Sequence, residues 1–227
     1  MTASDGDTKN EASRAAAPYT RPFLTLYDLW VIRLSNRFAW QCPAEVMLGL
    51  YNDNLGRRHL EVGPGSGWYL ANTDLSTTES ITLMDLNPVP ADFTARRLAD
   101  SGCAVETVNG NVLEPVPGAA GGGFDSVGVN FLLHCVPGGF GEKGASFRHL
   151  AKVLDDDGCL FGSTILAQTP ATMFGRLLYC AYGRVGAFNN ARDVRPELEV
   201  ALRAAFREYS IAEVGAVTLF VARRPRR

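Results

Sequence analysis

The sequence lacks three features that would each place it in a well-defined protein class. Its five cysteines contain no C-x-x-C pair, no stretch reaches eighteen apolar residues, and the first twenty residues hold no apolar signal core. Scattered cysteines argue against a disulfide framework or a structural zinc site. Missing apolar runs argue against a transmembrane helix or an export signal. We therefore expect a soluble cytoplasmic protein with reduced thiols and without a bound metal.

A surplus of positive charge is missing as well. The 22 lysines and arginines are balanced by 24 aspartates and glutamates, and only the terminal R-R-P-R-R forms a basic run. Because phosphate backbones are bound by clustered basic residues, we do not expect nucleic acid as a partner, and we expect no membrane partner either. The 227 residues suit one large α/β domain with a small cap. The oligomeric state stays open.

The stretch R-H-L-E-V-G-P-G-S-G-W-Y organises the chain. Leu60 and Val62 indicate a buried strand, and glycines follow at alternate positions, Gly63, Gly65 and Gly67. Glycines at the junction of a strand and a helix let the backbone approach a ligand closely. A dinucleotide fingerprint needs a further glycine where Trp68 stands, which disfavours an oxidoreductase that uses NAD or NADP. A tight turn without any ligand is the other alternative.

Two later strand ends carry polar residues. Asp85 ends the run S-I-T-L-M-D about twenty residues beyond the glycines, where α/β nucleotide folds place a carboxylate on ribose hydroxyls; a helix cap is the alternative. Asn130, Phe131 and His134 end the run F-D-S-V-G-V-N-F-L-L-H. Ligands of open parallel sheets bind beyond the carboxyl ends of the strands, so we expect these residues to face the reactive end of a cofactor.

Over about residues 56–223 the chain resembles the class I S-adenosylmethionine-dependent methyltransferases. The resemblance rests on four signals that occur in the order typical of that family: G-P-G-S-G, Asp85, Asn111 in G-N-V, and N-F-L-L-H. Within that family, the leader Y-D-L-W-x-x-R-L-S-N-R-F-A-W is similar to small-molecule enzymes of secondary metabolism. The resemblance implies an α/β, doubly wound, mostly parallel seven-stranded sheet with an antiparallel C-terminal hairpin and an N-terminal helical lid. It implies S-adenosyl-L-methionine as cofactor, with these binding residues: Glu61, Gly63, Gly65, Gly67, Asp85, Leu86, Asn111, Val112, Asn130 and Phe131.

The resemblance also divides the chain into three parts. We expect a disordered tail over residues 1–18, a helical cap over 19–55 and the methyltransferase domain over 56–227. An apolar stripe at helical spacing supports the cap: Phe23, Tyr27, Trp30, Leu34 and Phe38. Core packing is the alternative for these aromatics. We expect the small, largely apolar or aromatic substrate to contact Tyr19, Tyr27, Trp30, His134, Phe174 and Tyr179.

His134 is the predicted catalytic residue. The implied reaction is methyl transfer to an oxygen, nitrogen or sulfur atom, helped by alignment and by exclusion of water. A histidine with an ordinary pKa near 6.5 suits removal of the acceptor proton at neutral pH. A packed histidine satisfied by the backbone is the alternative role, and a cofactor-binding protein without catalysis is an alternative function for the chain.

Overall fold

The computed structural model describes residues 35–167, 172–184 and 186–227. Their strands form one sheet in the order β3-β2-β1-β4-β5-β7-β6. The strands are β1 Arg58–Val62, β2 Ser80–Asp85, β3 Ala104–Asn109, β4 Phe124–Asn130, β5 Leu154–Thr164, β6 Phe206–Val214 and β7 Val217–Pro225. Strands β1 to β5 pair in parallel, whereas β7 pairs antiparallel with both β5 and β6. The predicted fold class is thereby confirmed.

Helices pack on both faces of this sheet. They are α1 Ala44–Asn54, α2 Trp68–Ala71, α3 Pro88–Arg97, α4 Phe140–Lys143, α5 Ala145–Val153, α6 Met173–Arg184 and α7 Arg195–Ala205, with a 3₁₀ turn at Gly118–Ala120. One apolar core joins α4, α5 and α7 to the sheet through side chains such as Phe147 and Leu202. The other joins α1, α2, α3 and α6 through side chains such as Met47 and Leu178. Two covered faces explain why strands β1, β2 and β4 are almost continuously buried.

The strand order places the switch point of the sheet between β1 and β4. The chain moves outward from β1 to β2 and β3, then returns to place β4 on the other side of β1. In such sheets a crevice forms beyond the carboxyl ends of the two strands at the reversal. The glycine turn after β1 and the segment after β4 therefore meet at one place.

Two local features differ from the expectation. The glycine turn leads into α2, which is only four residues long, so it lacks the dipole of a full helix. Phe38 is 56% exposed and lies in a π-type turn formed by residues 35–39.

The predicted N-terminal stripe up to Leu34, with Tyr19, Tyr27 and Trp30, lies outside the described residues. Within the described ranges, no helix combines the length and the apolar character needed to cross a membrane. The described cysteines are all free thiols; Cys42 and Cys159 are buried, and Cys180 on α6 is exposed.

Candidate cofactor and active site

A cleft opens at the switch point and encloses about 1130 Å³, part of it continuous with solvent. Strand ends of β1, β2 and β4 form its floor, and the loops that follow them form its walls. The structure brings nine of the ten predicted cofactor residues to this cleft: Glu61, Gly63, Gly65, Asp85, Leu86, Asn111, Val112, Asn130 and Phe131. Since these residues come from four separate strand ends, their convergence marks the cleft as the candidate site.

The glycines of the turn have different tasks. All three adopt a positive φ, between 58° and 68°. A Cβ on Gly65 would meet no protein atom within 4 Å, so this position leaves open space beside the cleft. A Cβ on Gly67 would come within 2.4 Å of the Thr94 Cγ2 atom on α3. Gly67 does not line the cleft, and its role in the structure is close packing of the turn against α3.

Glu61 provides a buried carboxylate at the floor of the cleft, with only 2% of the residue exposed. Its Oε1 atom accepts a 2.6 Å hydrogen bond from the Tyr51 hydroxyl, and its Oε2 atom lies 2.9 Å from the His59 Nε2 atom. Burial and the charge of Glu61 raise the pKa of Tyr51 well above its usual value, so the phenol stays a donor. In the described part of the chain, no lysine or arginine forms an ion pair with Glu61.

Gly128 on β4 makes room for this carboxylate. A Cβ at Gly128 would lie 2.2 Å from the Glu61 Oε2 atom. Glu61 and Gly128 are register partners on adjacent strands, so the carboxylate lies across the neighbouring strand. Any residue larger than glycine would displace it.

Asn130 carries unused hydrogen-bonding capacity at the end of β4. Among the described residues, its buried Oδ1 and Nδ2 atoms have no hydrogen-bond partner, although the side chain lines the cleft. Phe131 follows in the left-handed region with φ of 52°, and its N–H donates to the Ser163 carbonyl at 2.9 Å. A buried amide without a partner carries a free-energy cost, so a ligand that uses both atoms would be stabilised here.

Asp85 lies at the rim of the cleft with a raised pKa of about 6, caused by burial and partly offset by the backbone N–H groups of Asn87 and Leu86. The Asn87 N–H donates to its Oδ1 atom at 2.8 Å. Asn109 holds the loop by donating to the Leu86 carbonyl at 2.9 Å. An ionised Asp85 could therefore accept hydrogen bonds from ligand hydroxyls.

Asn111 and Val112 form the wall beyond β3. The Asn111 Oδ1 atom accepts from the Leu113 N–H at 3.0 Å, which leaves its second lone pair and its amide N–H₂ for other partners. Val112 is 7% exposed and lines the cleft beside Asn111. An apolar side chain next to an amide suits the edge of a planar heterocycle.

His134 does not line the cleft. Its ring packs edge-on against Phe188 at 4.6 Å and against Phe131 at 6.2 Å between centroids. The residue is 4% exposed, and its Nδ1 atom has no hydrogen-bond partner among the described residues. Burial lowers the pKa of His134 to about 3, with a smaller contribution from Lys143. The catalytic role of His134 stays a prediction.

The other predicted substrate contacts lie away from the cleft or outside the described residues. Phe174 on α6 is 36% exposed. The Tyr179 hydroxyl donates to the Asn190 Oδ1 atom at 3.2 Å, and its ring packs against Phe188. Neither residue lines the cleft, and Tyr19, Tyr27 and Trp30 are not described. Their contact with substrate stays a prediction.

Several cleft residues were not predicted. Asn36 donates to the Tyr69 hydroxyl at 2.7 Å, and the Tyr69 ring stacks on Tyr51 at 5.8 Å and Phe131 at 6.4 Å. Tyr51 lies on α1 and is buried at the cleft. Tyr69 follows Trp68 directly after the glycine turn, and this pair of aromatic residues was the sequence feature that could have indicated an aromatic wall of the cleft. Nothing in the sequence indicates that Asn36 lines the cleft, because a polar residue before a helix such as α1 is common.

The residues of the cleft fit S-adenosylmethionine in five respects. The Glu61 carboxylate suits the ammonium group of the amino acid part, and the Asn130 amide suits its polar atoms. Asp85 suits the ribose hydroxyls, and the wall of Asn111 and Val112 suits adenine. Gly65 leaves the space that a side chain would fill. The cleft therefore offers a group of matching chemistry for each part of the cofactor.

Comparisons with known proteins agree with this fit. Residues 60–162 match the family model described as "Methyltransferase domain". The chain is 38% identical over 217 residues to the physcion biosynthesis cluster O-methyltransferase of Aspergillus chevalieri, covering 94% of this chain and 96% of that protein. It is also 38% identical over 208 residues to the demethylluteothin O-methyltransferase of Streptomyces thioluteus, covering 91% and 89%.

A solved structure shares the fold. The neocarzinostatin-biosynthesis O-methyltransferase NcsB1, solved with S-adenosyl-L-homocysteine and 1,4-dihydroxy-2-naphthoic acid, superposes with a TM-score of 0.56 at 18% identity. The match covers 96% of this chain and 60% of that one. None of these relatives is an oxidoreductase, so the alternative of an NAD(P) enzyme is not supported. The chain belongs to the S-adenosylmethionine-dependent methyltransferases.

Proposed function

We propose that this methyltransferase acts on a hydroxyl oxygen of a small aromatic metabolite. The observation that carries the proposal is the aromatic character of the cleft beside Asn130, where Tyr69 and Phe131 stack 6.4 Å apart. The two curated relatives are both named O-methyltransferases. NcsB1 was solved with a dihydroxynaphthoic acid, which is an aromatic ring bearing hydroxyl groups.

We propose that different residues along the cleft bind different parts of the cofactor. The carboxylate of Glu61 attracts the cationic amino group of the cofactor, and Asp85 accepts from its ribose. Asn111 and Val112 hold the adenine edge, while the turn at Gly65 keeps the backbone close to the amino acid part. When bound, S-adenosylmethionine supplies an electrophilic methyl group on a sulfonium.

The acceptor side works by alignment and exclusion of water. Tyr69 and Phe131 offer flat apolar faces to an aromatic ring. Orientation of this kind can supply a large share of a rate enhancement. A pKa near 3 makes His134 a weak proton acceptor, so we propose that the acceptor loses its proton to water and that His134 supports Phe131.

A panel of acceptors tests the reaction class. The protein is incubated with S-adenosylmethionine and with matched naphthalene rings that bear a hydroxyl, an amine or a thiol. We expect one added methyl group, detected by mass spectrometry, on the hydroxyl compounds. Methylation of the amine or thiol compounds alone would refute the oxygen acceptor. Tight binding of S-adenosylhomocysteine without methylation of any compound would favour a cofactor-binding protein without catalysis.

Gly65→Arg tests the cofactor end of the cleft. The arginine would place a long cationic side chain into the space beside Gly65, so we expect affinity for S-adenosylhomocysteine to fall by about a hundredfold or more in calorimetry. Gly102→Arg is the matched control, because Gly102 also has a positive φ and an open Cβ position but does not line the cleft. Equal losses in the two variants would refute the assignment.

We further propose that residues 19–55 cap the domain formed by 56–227, with residues 1–18 as a tail, and that the protein works in the cytoplasm. The described part of the cap supports this division, since Tyr51 on α1 reaches Glu61 and lines the cleft. Deletion of residues 1–18 should leave cofactor affinity unchanged. Loss of binding in that variant would move the boundary, and fractionation of producing cells tests the location.

A further inference from the structure

A chain of hydrogen bonds runs from the backbone through the buried sheet to the Glu61 carboxylate. The Gly56 N–H donates to the Ser126 Oγ atom at 2.8 Å, and that hydroxyl lies 2.8 Å from the His59 Nδ1 atom. On the other side of the ring, the His59 Nε2 atom lies 2.9 Å from the Glu61 Oε2 atom. His59 and Ser126 are fully buried. The histidine therefore connects the strand interior to the floor of the cleft.

One hydrogen-bond arrangement satisfies every group in this chain. With a proton on Nε2, the His59 ring donates to Glu61, and its Nδ1 atom accepts from the Ser126 hydroxyl. Ser126 in turn accepts from the Gly56 N–H. The donors therefore run toward the carboxylate, which receives a second donor from Tyr51. In the described part of the chain, no lysine or arginine pairs with Glu61.

The His59 ring is held in place by strand pairing and by aromatic stacking. His59 and Ser126 are register partners on the adjacent strands β1 and β4. The imidazole stacks on Phe161 at 5.7 Å with an interplanar angle of 20°. Side chains locked by packing and by hydrogen bonds are the kind that hold a binding group in place.

We propose that His59 is a positioning residue that fixes the Glu61 carboxylate for the ammonium group of the cofactor. The inference rests on the proposed function, in which Glu61 faces that ammonium. Two donors, Tyr51 and His59, bind the carboxylate from within the protein. The remaining lone pairs are then presented to the ligand in one orientation. Without the His59 donor, the carboxylate would lose its orientation and the ammonium would be bound less tightly.

His59→Leu tests the proposal with two ligands measured by calorimetry. S-adenosylhomocysteine contains the ammonium group, whereas 5′-methylthioadenosine is the same nucleoside thioether without the amino acid part. We expect the leucine variant to bind S-adenosylhomocysteine about tenfold more weakly, which corresponds to about 1.4 kcal/mol. We expect its affinity for 5′-methylthioadenosine to change by less than about twofold. Equal losses for both ligands would show a general structural role and overturn the proposal.

Three further variants separate positioning from packing. His59→Gln retains a donor that can reach Glu61, so it should recover most of the lost affinity. Phe161→Leu disturbs the packing of the same ring without removing a hydrogen bond, so it should leave the ratio of the two affinities unchanged. In a Glu61→Gln background, His59→Leu should add no further loss, because coupled residues are not additive. Additive losses would overturn the proposal.

Two outcomes distinguish this inference from the proposed function. If the unaltered protein binds neither ligand, the proposed function fails. If it binds S-adenosylhomocysteine and His59→Leu binds it equally well, only the role of His59 fails. Should His59→Leu not fold, Ser126→Ala replaces it, and a selective loss of S-adenosylhomocysteine affinity of about threefold is expected. An unselective or absent loss in Ser126→Ala would overturn the proposal.

Discussion

Two buried carboxylates of this protein have opposite surroundings. Asp193 is fully buried and pairs with the fully buried Lys143 at 2.7 Å, on the far side of the segment that follows β4. Glu61 is nearly as buried, but among the described residues it contacts the Tyr51 hydroxyl and the His59 ring and no lysine or arginine, and it faces the cleft. A buried charge needs compensation. Asp193 finds it inside the protein, whereas for Glu61 we propose that the ammonium group of the cofactor supplies it.

The Asp193 pair also fixes one wall of the cleft. Lys143 donates to the carbonyls of Leu133 at 2.8 Å and Val136 at 3.0 Å, and Val136 lines the cleft. Burial lowers the pKa of Lys143, and the nearby Asp193 partly offsets that effect. The ion pair therefore has a structural task, and the comparison with Glu61 predicts which substitutions affect stability and which affect binding.

The largest effect is expected for Lys143→Met. The substitution leaves Asp193 buried without its cation, so we expect the free energy of unfolding to fall by about 3–5 kcal/mol in chemical denaturation. Arg192→Met is the matched control, because Arg192 pairs with Glu142 at the exposed surface. Its cost should stay below about 1 kcal/mol. Similar costs for the two variants would show that the buried pair has no special structural weight.

Glu61→Gln should weaken cofactor binding while changing the stability of the fold little, the reverse of Lys143→Met. It removes a charge that has no cationic partner in the described protein, so we expect the free energy of unfolding to change by about 1 kcal/mol or less. Affinity for S-adenosylhomocysteine should fall by about 2–3 kcal/mol, because a charge-assisted hydrogen bond is lost. Calorimetry and denaturation of the same preparation measure both quantities. A large loss of stability with intact binding would make Glu61 equivalent to Asp193.

His134 is a buried basic side chain, and in the described part of the chain it forms no ion pair with a carboxylate. Its pKa in the folded protein is about 3, below the value near 6.5 expected in the unfolded chain. The unfolded chain therefore binds the proton first as the pH falls. The stability that neutral His134 contributes is complete above pH 6.5 and is lost progressively toward pH 3.

His134→Phe removes this titration while keeping an aromatic ring beside Phe131 and Phe188. Between pH 7 and pH 5, the unaltered protein should lose about 2 kcal/mol of stability relative to the variant. Parallel pH profiles would contradict the depressed pKa. Turnover of the variant tests the base role separately, since loss of a general base should reduce kcat by about a hundredfold or more. We expect a smaller change, and a hundredfold loss would restore His134 as the base.

The smallest effect is expected at Asp85, a carboxylate at the rim. Its pKa of about 6 means that it becomes protonated as the pH falls through 6. Affinity for S-adenosylhomocysteine should therefore weaken by about tenfold from pH 7 to pH 5, because the protonated carboxyl accepts ribose hydrogen bonds poorly. Asp85→Asn should remove this dependence. Asp92→Asn changes the same charge on the exposed face of α3 and should preserve it.

Much of the cofactor end of the cleft could be predicted, because its residues lie in short stretches of the sequence. Each group follows a strand end, and parallel strands bring their carboxyl ends to one edge of the sheet. Glu61, Gly65, Asp85 and Asn130 reach the cleft for this reason. Gly67 does not line the cleft, and its closeness to Thr94 could not be predicted because it depends on how α3 packs.

The acceptor end could not be predicted in the same way. Asn36 and Tyr69 meet across thirty-three positions of sequence, and no periodicity indicates such a contact. His134 follows β4 like Phe131, yet the segment turns and buries its ring against Phe188. Phe38 shows the same limit, since it lies in a π-type turn and is exposed.

The sequence alone determined the glycine turn and the strand ends that line the cleft, because strand periodicity and glycine spacing are local properties. Its resemblance to a known family supplied the doubly wound sheet, the terminal hairpin and the methyl-transfer chemistry. Only the tertiary structure decided which buried groups have partners. It paired Lys143 with Asp193, placed His59 behind Glu61 and left Asn130 without a hydrogen-bond partner among the described residues. Hydrogen bonds and charges between distant segments depend on how the layers pack, and that packing is a property of the whole chain.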